Sequence, residues 1–248
     1  MKIRKEHVIG AIVLTILIAG GITGVNLLQD KERSDFAKRI AELGKGGVPV
    51  GIDDLKEAIR LYEKEIDRLV SYQDKAGTYY KILATRQQDR GLHTDALDSL
   101  QEALRYFPDD SALPYMMGVS AAFIGRSYIS VDGTGSGERD RYLAMAEESF
   151  RTAMKMDENY YRPVYSLAIL YVNDLARPQD AIPLLERYLS VMKNDFDAMF
   201  VLARAYYQTG RYEDAIDEYN EIIAKSPDKT RKDMAQQNKE IVMEAYYG

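Results

Sequence analysis

The sequence predicts an all-α protein: a stack of helix–turn–helix units behind one N-terminal transmembrane helix. Three observations carry that prediction. Residues 8–28 form a 21-residue run without a charge. Small residues then recur on amphipathic faces at Ala96, Ala146, Ala181 and Ala215. A second set, each behind an apolar neighbour, precedes them at Ala84, Gly118, Ala168 and Ala203. The composition, 46% apolar and 29% charged over 248 residues, leaves ample material for a folded core.

The N-terminal segment comes first. Residues 1–7 carry Lys2, Arg4 and Lys5. Val8 to Leu28 follow, and a helix of that length spans about 31 Å, the thickness of a bilayer's hydrocarbon core. Val8–Ala19 followed by Gly20 and Gly21 has the form of a cleavable signal peptide. However, Ile22, Val25, Leu27 and Leu28 continue the apolar run past any such site, which predicts an uncleaved signal anchor. Lys31, Arg33, Lys38, Arg39 and Lys45 follow the span, so a plain count of cations favours the opposite orientation. Large downstream domains translocate largely regardless of charge, and a short basic N-terminus before a first apolar segment suits an inside start. The expected localisation is therefore the cell membrane, single-pass, with the remainder extracytoplasmic (periplasmic in a bacterium). Gly20 and Gly24 form a G-x-x-x-G pair that would let two such helices approach closely, so a homo-oligomer is one option. The other is that glycine is simply frequent in membrane spans.

Beyond the span, the repeat is visible by alignment on the small residues. Four residues after each of Ala96, Ala146, Ala181 and Ala215 stand Leu100, Phe150, Leu185 and Tyr219, and three further on Ala103, Ala153, Tyr188 and Ile222. That 0, +4, +7 spacing is one face of a helix. Twelve residues after the small one, two of the four units carry a proline, Pro108 and Pro227, which stops one helix before the next begins. Leu83-Ala84, Met117-Gly118, Leu167-Ala168 and Leu202-Ala203 mark a preceding helix in each unit, and Gly91 and Gly210 supply turns wanting positive φ.

With these residues in place, the chain resembles the tetratricopeptide repeat family, whose 34-residue helix–turn–helix units carry small residues at the closest crossing and a terminal proline. The resemblance implies a right-handed solenoid. Residues 77–110 and 196–229 match the unit length without gaps. Residues 161–195 carry one extra residue near Arg177-Pro178, and 111–160 carry sixteen extra near 126–141. Residues 29–76 read as a linker and degenerate first unit: a short helix near Phe36–Leu43, the loop GKGGVPVG, and a helix near 55–70 begun by Asp53 or Asp54. Residues 230–248 read as a capping helix, with Met234, Ile241 and Met243 expected to close the stack.

Little in the chain could carry chemistry. There are no cysteines, which excludes disulfides, thiol catalysis and thiolate metal sites. The two histidines, His7 and His93, stand far apart, and no nucleophile-elbow, zinc-protease or phosphate-loop motif occurs. No catalytic residue, metal site or cofactor is expected, and the protein is read as not an enzyme. The insertion SYISVDGTGSGERDR has alternating glycines, Gly133, Gly135 and Gly137, beside Asp132, Glu138 and Asp140. These acids lack the spacing of an EF-hand, so a solvated loop or a partner-contact loop are the two readings. A net charge of −6 gives no reason to expect nucleic acid.

The resemblance further implies that the first helices of successive units line a concave surface that takes a protein or peptide partner. Family positions carried onto this chain give Thr78, Lys81, Thr85, Gln88 and Asp89, then Ala112, Tyr115, Val119, Ala122 and Phe123. The next two sets are Arg162, Tyr165, Ile169, Val172 and Asn173, and Asp197, Phe200, Arg204, Tyr207 and Gln208. The basic clamp with which some members grip a C-terminal carboxylate is missing. Tyr115, Phe123, Tyr165, Phe200 and Tyr207 form instead an aromatic strip with Arg204 as a polar anchor, either a binding surface or a packing seam. The expected function is a membrane-anchored scaffold or adaptor. The rivals are a structural subunit of an envelope or secretion complex, and a transport accessory with a small-molecule pocket.

Overall fold

The structure is a computed structural model that describes residue 31 and residues 34–43, 52–128 and 136–248. The expected membrane helix, with Gly20 and Gly24, and the GKGGVPVG loop lie outside the described residues. Among the described helices none is long and apolar enough to cross a membrane. The regular structure of the described residues is α-helical throughout. They divide into two compact units, the first ending at Tyr72 and the second running from Gln73 to Gly248.

The first unit contains α1 (34–43) and the opening turns of α2 (Ile52–Asp89). Asp53 and Asp54 lie in the first turn of α2, where carboxylates oppose the positive end of the helix dipole. Ala58 and Leu61 are buried. Phe36 meets Tyr62 edge-on at 5.4 Å, and Arg39 donates to Glu57 at 2.7 Å, so α1 is seated on this part of α2. A leader helix ending near residue 70 was expected, and here the structure differs: α2 runs unbroken for 38 residues and contributes to both units. The intervening SYQDKA holds neither glycine nor proline, so nothing stops the helix. Gly77, inside it, serves close approach: a Cβ there would lie 2.6 Å from the Cβ of Tyr106.

The second unit is a regular alternation. The end of α2 pairs with α3 (His93–Tyr106); α4 (Ala112–Ser127) pairs with α5 (Ser136–Met156); α6 (Tyr161–Asn173) pairs with α7 (Pro178–Val191); and α8 (Phe196–Gln208) pairs with α9 (Tyr212–Lys225). A last helix, α10 (Lys229–Tyr247), packs on α9. The eight small residues of the repeat, Ala84, Ala96, Gly118, Ala146, Ala168, Ala181, Ala203 and Ala215, are all buried within these pairs. Around them Leu100, Phe150, Leu167, Leu185, Leu202, Tyr219 and Ile222 fill the space between backbones. Each such side chain removes enough apolar surface from water to contribute about 1.5–3 kcal/mol.

The turns follow from their residues. Gly91 and Gly210 adopt φ of +73° and +75°, while the corresponding bend before α7 places Ala176 at φ +51°. After α3 and α9 the chain reaches Pro108 and Pro227; after α5 the same bend is made without proline, the Asp157 side chain accepting from the Asn159 N–H at 2.9 Å.

Two further expectations are corrected. Residues 136–141 belong to α5, so Gly137, Glu138 and Asp140 are helical, and only Asp132, Gly133 and Gly135 of the proposed loop motif fall in 129–135, outside the described residues. In α10 the residues facing the stack are Ala235 and Val242, seven apart, whereas Met234, Ile241 and Met243 are exposed. Asp228 sets the phase by capping α10, its carboxylate accepting from the Thr230 N–H at 2.9 Å. The small Ala235 then permits the close crossing that a methionine would hold apart.

Candidate functional site

The curvature of the stack decides which helices form its inner face. In the second unit the first helices of successive repeats touch one another, α4 against α6 and α6 against α8. Among the described residues α5, α7 and α9 do not pack on each other to a comparable extent. A stack closer on one side bends toward it, so α4, α6 and α8 line the concave side.

Along that side four rings of the aromatic strip, Tyr115, Tyr165, Phe200 and Tyr207, are half-buried, each inserted part-way into its own helical pair. Tyr115 lies 5.3 Å from Tyr160, edge-on, and 6.0 Å from Phe150. Tyr165 stacks on Tyr188 at 5.1 Å, and Tyr188 donates its hydroxyl to Asp195 at 2.7 Å. The other carboxylate oxygen of Asp195 caps α8 by accepting from the Ala198 N–H at 3.1 Å. Burial pushes the Tyr165 hydroxyl up to about 12, with the carboxylates of Asp195 and Asp197 adding to the effect, so it remains a neutral donor. Phe200 leans on Tyr219 and Tyr207 on Tyr212, at 6.0 and 5.9 Å. Val119 and Ile169, each four residues after a strip tyrosine on the same helix, are also half-buried. Packing and presentation therefore coincide: one edge of each side chain anchors it, and the rest is left to the groove.

Other positions from the sequence separate into three groups. Phe123, Arg204, Gln208 and Asn173 are exposed on the rim, with Phe123 flat against His93 at 4.5 Å and Arg204 donating to Asn173 at 3.1 Å. His93 is the first residue of α3, and burial lowers its pKa. Gln88 ties repeats together, donating to the Met116 carbonyl at 2.9 Å and the Ser120 hydroxyl at 2.8 Å, and Lys81 pairs with Asp110. Ala122 and Val172, expected on the groove surface, are instead core residues, each 4% exposed. Both are small enough for the contact between neighbouring first helices, which removes them from solvent.

The sequence did not point to a polar knot on the outer side. Glu147 of α5 accepts from the Tyr171 hydroxyl at 2.8 Å, from Arg151 at 3.0 Å and from Arg177 at 3.1 Å. Burial acts to raise its pKa, but the hydrogen bonds from Tyr171 and Arg151 and the charge of Arg177 more than offset this and hold it below the ordinary 4.5. Only the Glu147–Arg151 spacing of four is a local signal; Tyr171 and Arg177 come from the next repeat. A second knot is Arg126 with Asp174, bidentate, with a closest approach of 2.6 Å. Two clefts lie apart from the aromatic strip. One of about 670 Å³ sits among Thr78, Lys81, Thr85, Tyr106, Phe107 and Pro108, and one of about 740 Å³ lies on the outer side beside Arg151, Tyr171 and Arg187.

This geometry, paired antiparallel helices stacked with one row inside, defines a class of helical repeat proteins. Residues 173–237 match the tetratricopeptide repeat family, and the chain as a whole resembles tetratricopeptide repeat proteins. It is 22% identical over 207 residues to a TPR repeat-containing protein of Borreliella burgdorferi, spanning 83% of this chain and 88% of that one. Among solved structures it resembles residues 41 to the end of MamA from Desulfovibrio magneticus RS-1 (20% identity, TM-score 0.53, 68% of this chain and 94% of that one). It also resembles YrrB, described as a TPR protein with an unusual peptide-binding site (16% identity, TM-score 0.52, 70% and 83% coverage). A thermophilic TPR protein of Thermus thermophilus aligns over 86% of this chain and 98% of its own at 16% identity and a TM-score of 0.52.

Proposed function

We propose that this protein is a membrane-anchored, non-catalytic adaptor that holds an extended segment of a protein partner along its concave face. The observation that carries this reading is the row on the inner helices: Tyr115, Val119, Tyr165, Ile169, Phe200 and Tyr207 half-buried, with Phe123, Arg204 and Gln208 exposed beside them. Rings already fixed by packing lose little side-chain entropy on binding, and Tyr and Arg are the residue types that most often dominate interfaces. The charge-free run at 8–28 supports a membrane anchor, and the basic start supports an extracytoplasmic repeat domain. The peptide-binding description of YrrB is consistent with the same use of the fold.

The test is photo-crosslinking in intact cells from a benzophenone amino acid placed at Gln208 or at Phe123, both exposed on the groove rim. A discrete adduct with a second protein is expected at both positions. Glu148, exposed on the outer helix α5, serves as the control and should give none. Combining the probe at Gln208 with Arg204→Ala and Tyr207→Ala should abolish the adduct. Adducts from Glu148 alone would instead favour a structural subunit that contacts its complex through the convex face.

A further inference from the structure

We infer that the opening turns of α2 are a dimerisation helix, and that a second copy of this chain packs along them in antiparallel register. Leu55, Ile59, Tyr62, Ile66 and Leu69 follow one another at intervals of 4, 3, 4 and 3 residues. That is the 3.5-residue period of a seam which stays in contact with another helix along its length. All five are exposed, at 38%, 56%, 51%, 56% and 47%. The ring contact seen on this face is the edge contact of Phe36 with Tyr62. The face that α1 occupies is a different one, carrying Glu57, Ala58 and Leu61.

The charges beside the seam select the occupant and its direction. Taking Ile59 and Ile66 as a positions and Leu55, Tyr62 and Leu69 as d positions, Lys56 and Glu63 fall at successive e positions. Lys56 reaches only Asp53, at 4.0 Å, with both side chains almost fully solvated, and Glu63 has no ion pair among the described residues. In an antiparallel pair the e flank of one helix meets the e flank of the other. Lys56 then faces Glu63 of the second copy, and Glu63 faces its Lys56, giving two opposite-charge pairs and no like-charge pair. A parallel pair would set Ala58 against Glu63 and Glu65 against Val70, with no complementarity. The antiparallel register is centred between Arg60 and Leu61, which puts Leu55 level with Ile66 of the second copy and Ile59 level with its Tyr62. The charge-free run at 8–28 offers nothing to Lys56 or Glu63, and GKGGVPVG at 44–51 is too short and glycine-rich to supply a heptad seam.

The experiment uses the full chain in detergent micelles. Sedimentation equilibrium should give twice the 28.2 kDa protein mass. The Ile59→Asp, Ile66→Asp double variant should give a single mass with an unchanged far-ultraviolet helical signal, since both positions are exposed. A double variant that stays dimeric would place the association in the membrane segment and overturn the proposal, as would a monomeric parent. Because the chain has no cysteine, register is read by disulfide trapping. Chains carrying Leu55→Cys mixed with chains carrying Ile66→Cys should cross-link under mild oxidation, while Ile66→Cys alone should not. An Ile66→Cys homodimer would mean a parallel pair. A monomer whose Ile66→Cys thiol is shielded from maleimide would mean that another part of the same chain covers the seam. Either result refutes the antiparallel dimer.

Discussion

Gly118 sits in α4 so close to the Phe150 ring that an added Cβ would lie 2.6 Å from it. Phe150 is only 2% exposed and cannot swing away. Gly118→Ala is therefore expected to lower stability by about 1–3 kcal/mol despite alanine's better helix propensity, as measured by urea unfolding. Ala176 presents the opposite case: at φ +51° it occupies a conformation that Gly91 and Gly210 fill in the equivalent turns. An L-residue there is strained by about 1–2 kcal/mol, partly offset in glycine by backbone entropy. Ala176→Gly should therefore raise the unfolding free energy by about 0.5–1 kcal/mol; an unchanged or lower value would show that the turn is not strained. Both positions were legible to different degrees. The small residue at 118 follows from the repeat spacing, but the non-glycine turn at 176 does not, because the extra residue near Arg177 hides which position bends.

Among the elements, α10 shows how far a periodic pattern reaches. An amphipathic closing helix could be read from the sequence, yet its phase could not, because Met234, Ile241 and Met243 are larger and more apolar than Ala235. What decides the phase is the Asp228 cap together with the closeness of the α9 crossing, and the latter is a property of two helices at once. The consequence is specific. Val242→Ala, at a position 2% exposed, should cost about 1–3 kcal/mol, whereas Ile241→Ala, at 56% exposed, should stay within about 0.5 kcal/mol. Reversal of that order in thermal unfolding would restore the methionine-facing register. The groove shows the same limit. Tyr165, Phe200 and Tyr207 could be placed on inner helices by family position, but whether a ring is floor or core depends on partners such as Tyr188 and Tyr219, which stand on the second helix of each pair. Ala122 and Val172 were misassigned because family position does not show how closely neighbouring first helices pack on one another. The fusion of the leader helix with α2 was readable in principle, from the lack of any stop signal in 71–76.

At the scale of the whole molecule, two carboxylates set opposite trends of stability with pH. Glu147 is held below its ordinary value, so its contribution is fully present above pH 4.5 and is lost as pH falls through the folded value. Glu218 is pushed up to about 7 by burial and by Glu221, so the fold binds its proton more tightly than the unfolded chain does. Stability on its account declines as pH rises from 4.5 to about 7 and is level above that. Glu218→Gln should accordingly raise the unfolding midpoint at pH 8 while leaving it nearly unchanged at pH 4. Glu147→Gln should lower the midpoint at pH 7 and flatten the acid limb of the stability profile. A parallel offset of either variant at every pH would show that the residue acts by packing alone. The contact of α4 with α6 and α6 with α8, without matching contact among α5, α7 and α9, has a mechanical meaning as well. The inner row acts as the spine of a leaf spring and the outer row as its open slots. Curvature is then the soft coordinate of this domain, and a long ligand could be gripped or released by flexing the spring without unfolding any leaf.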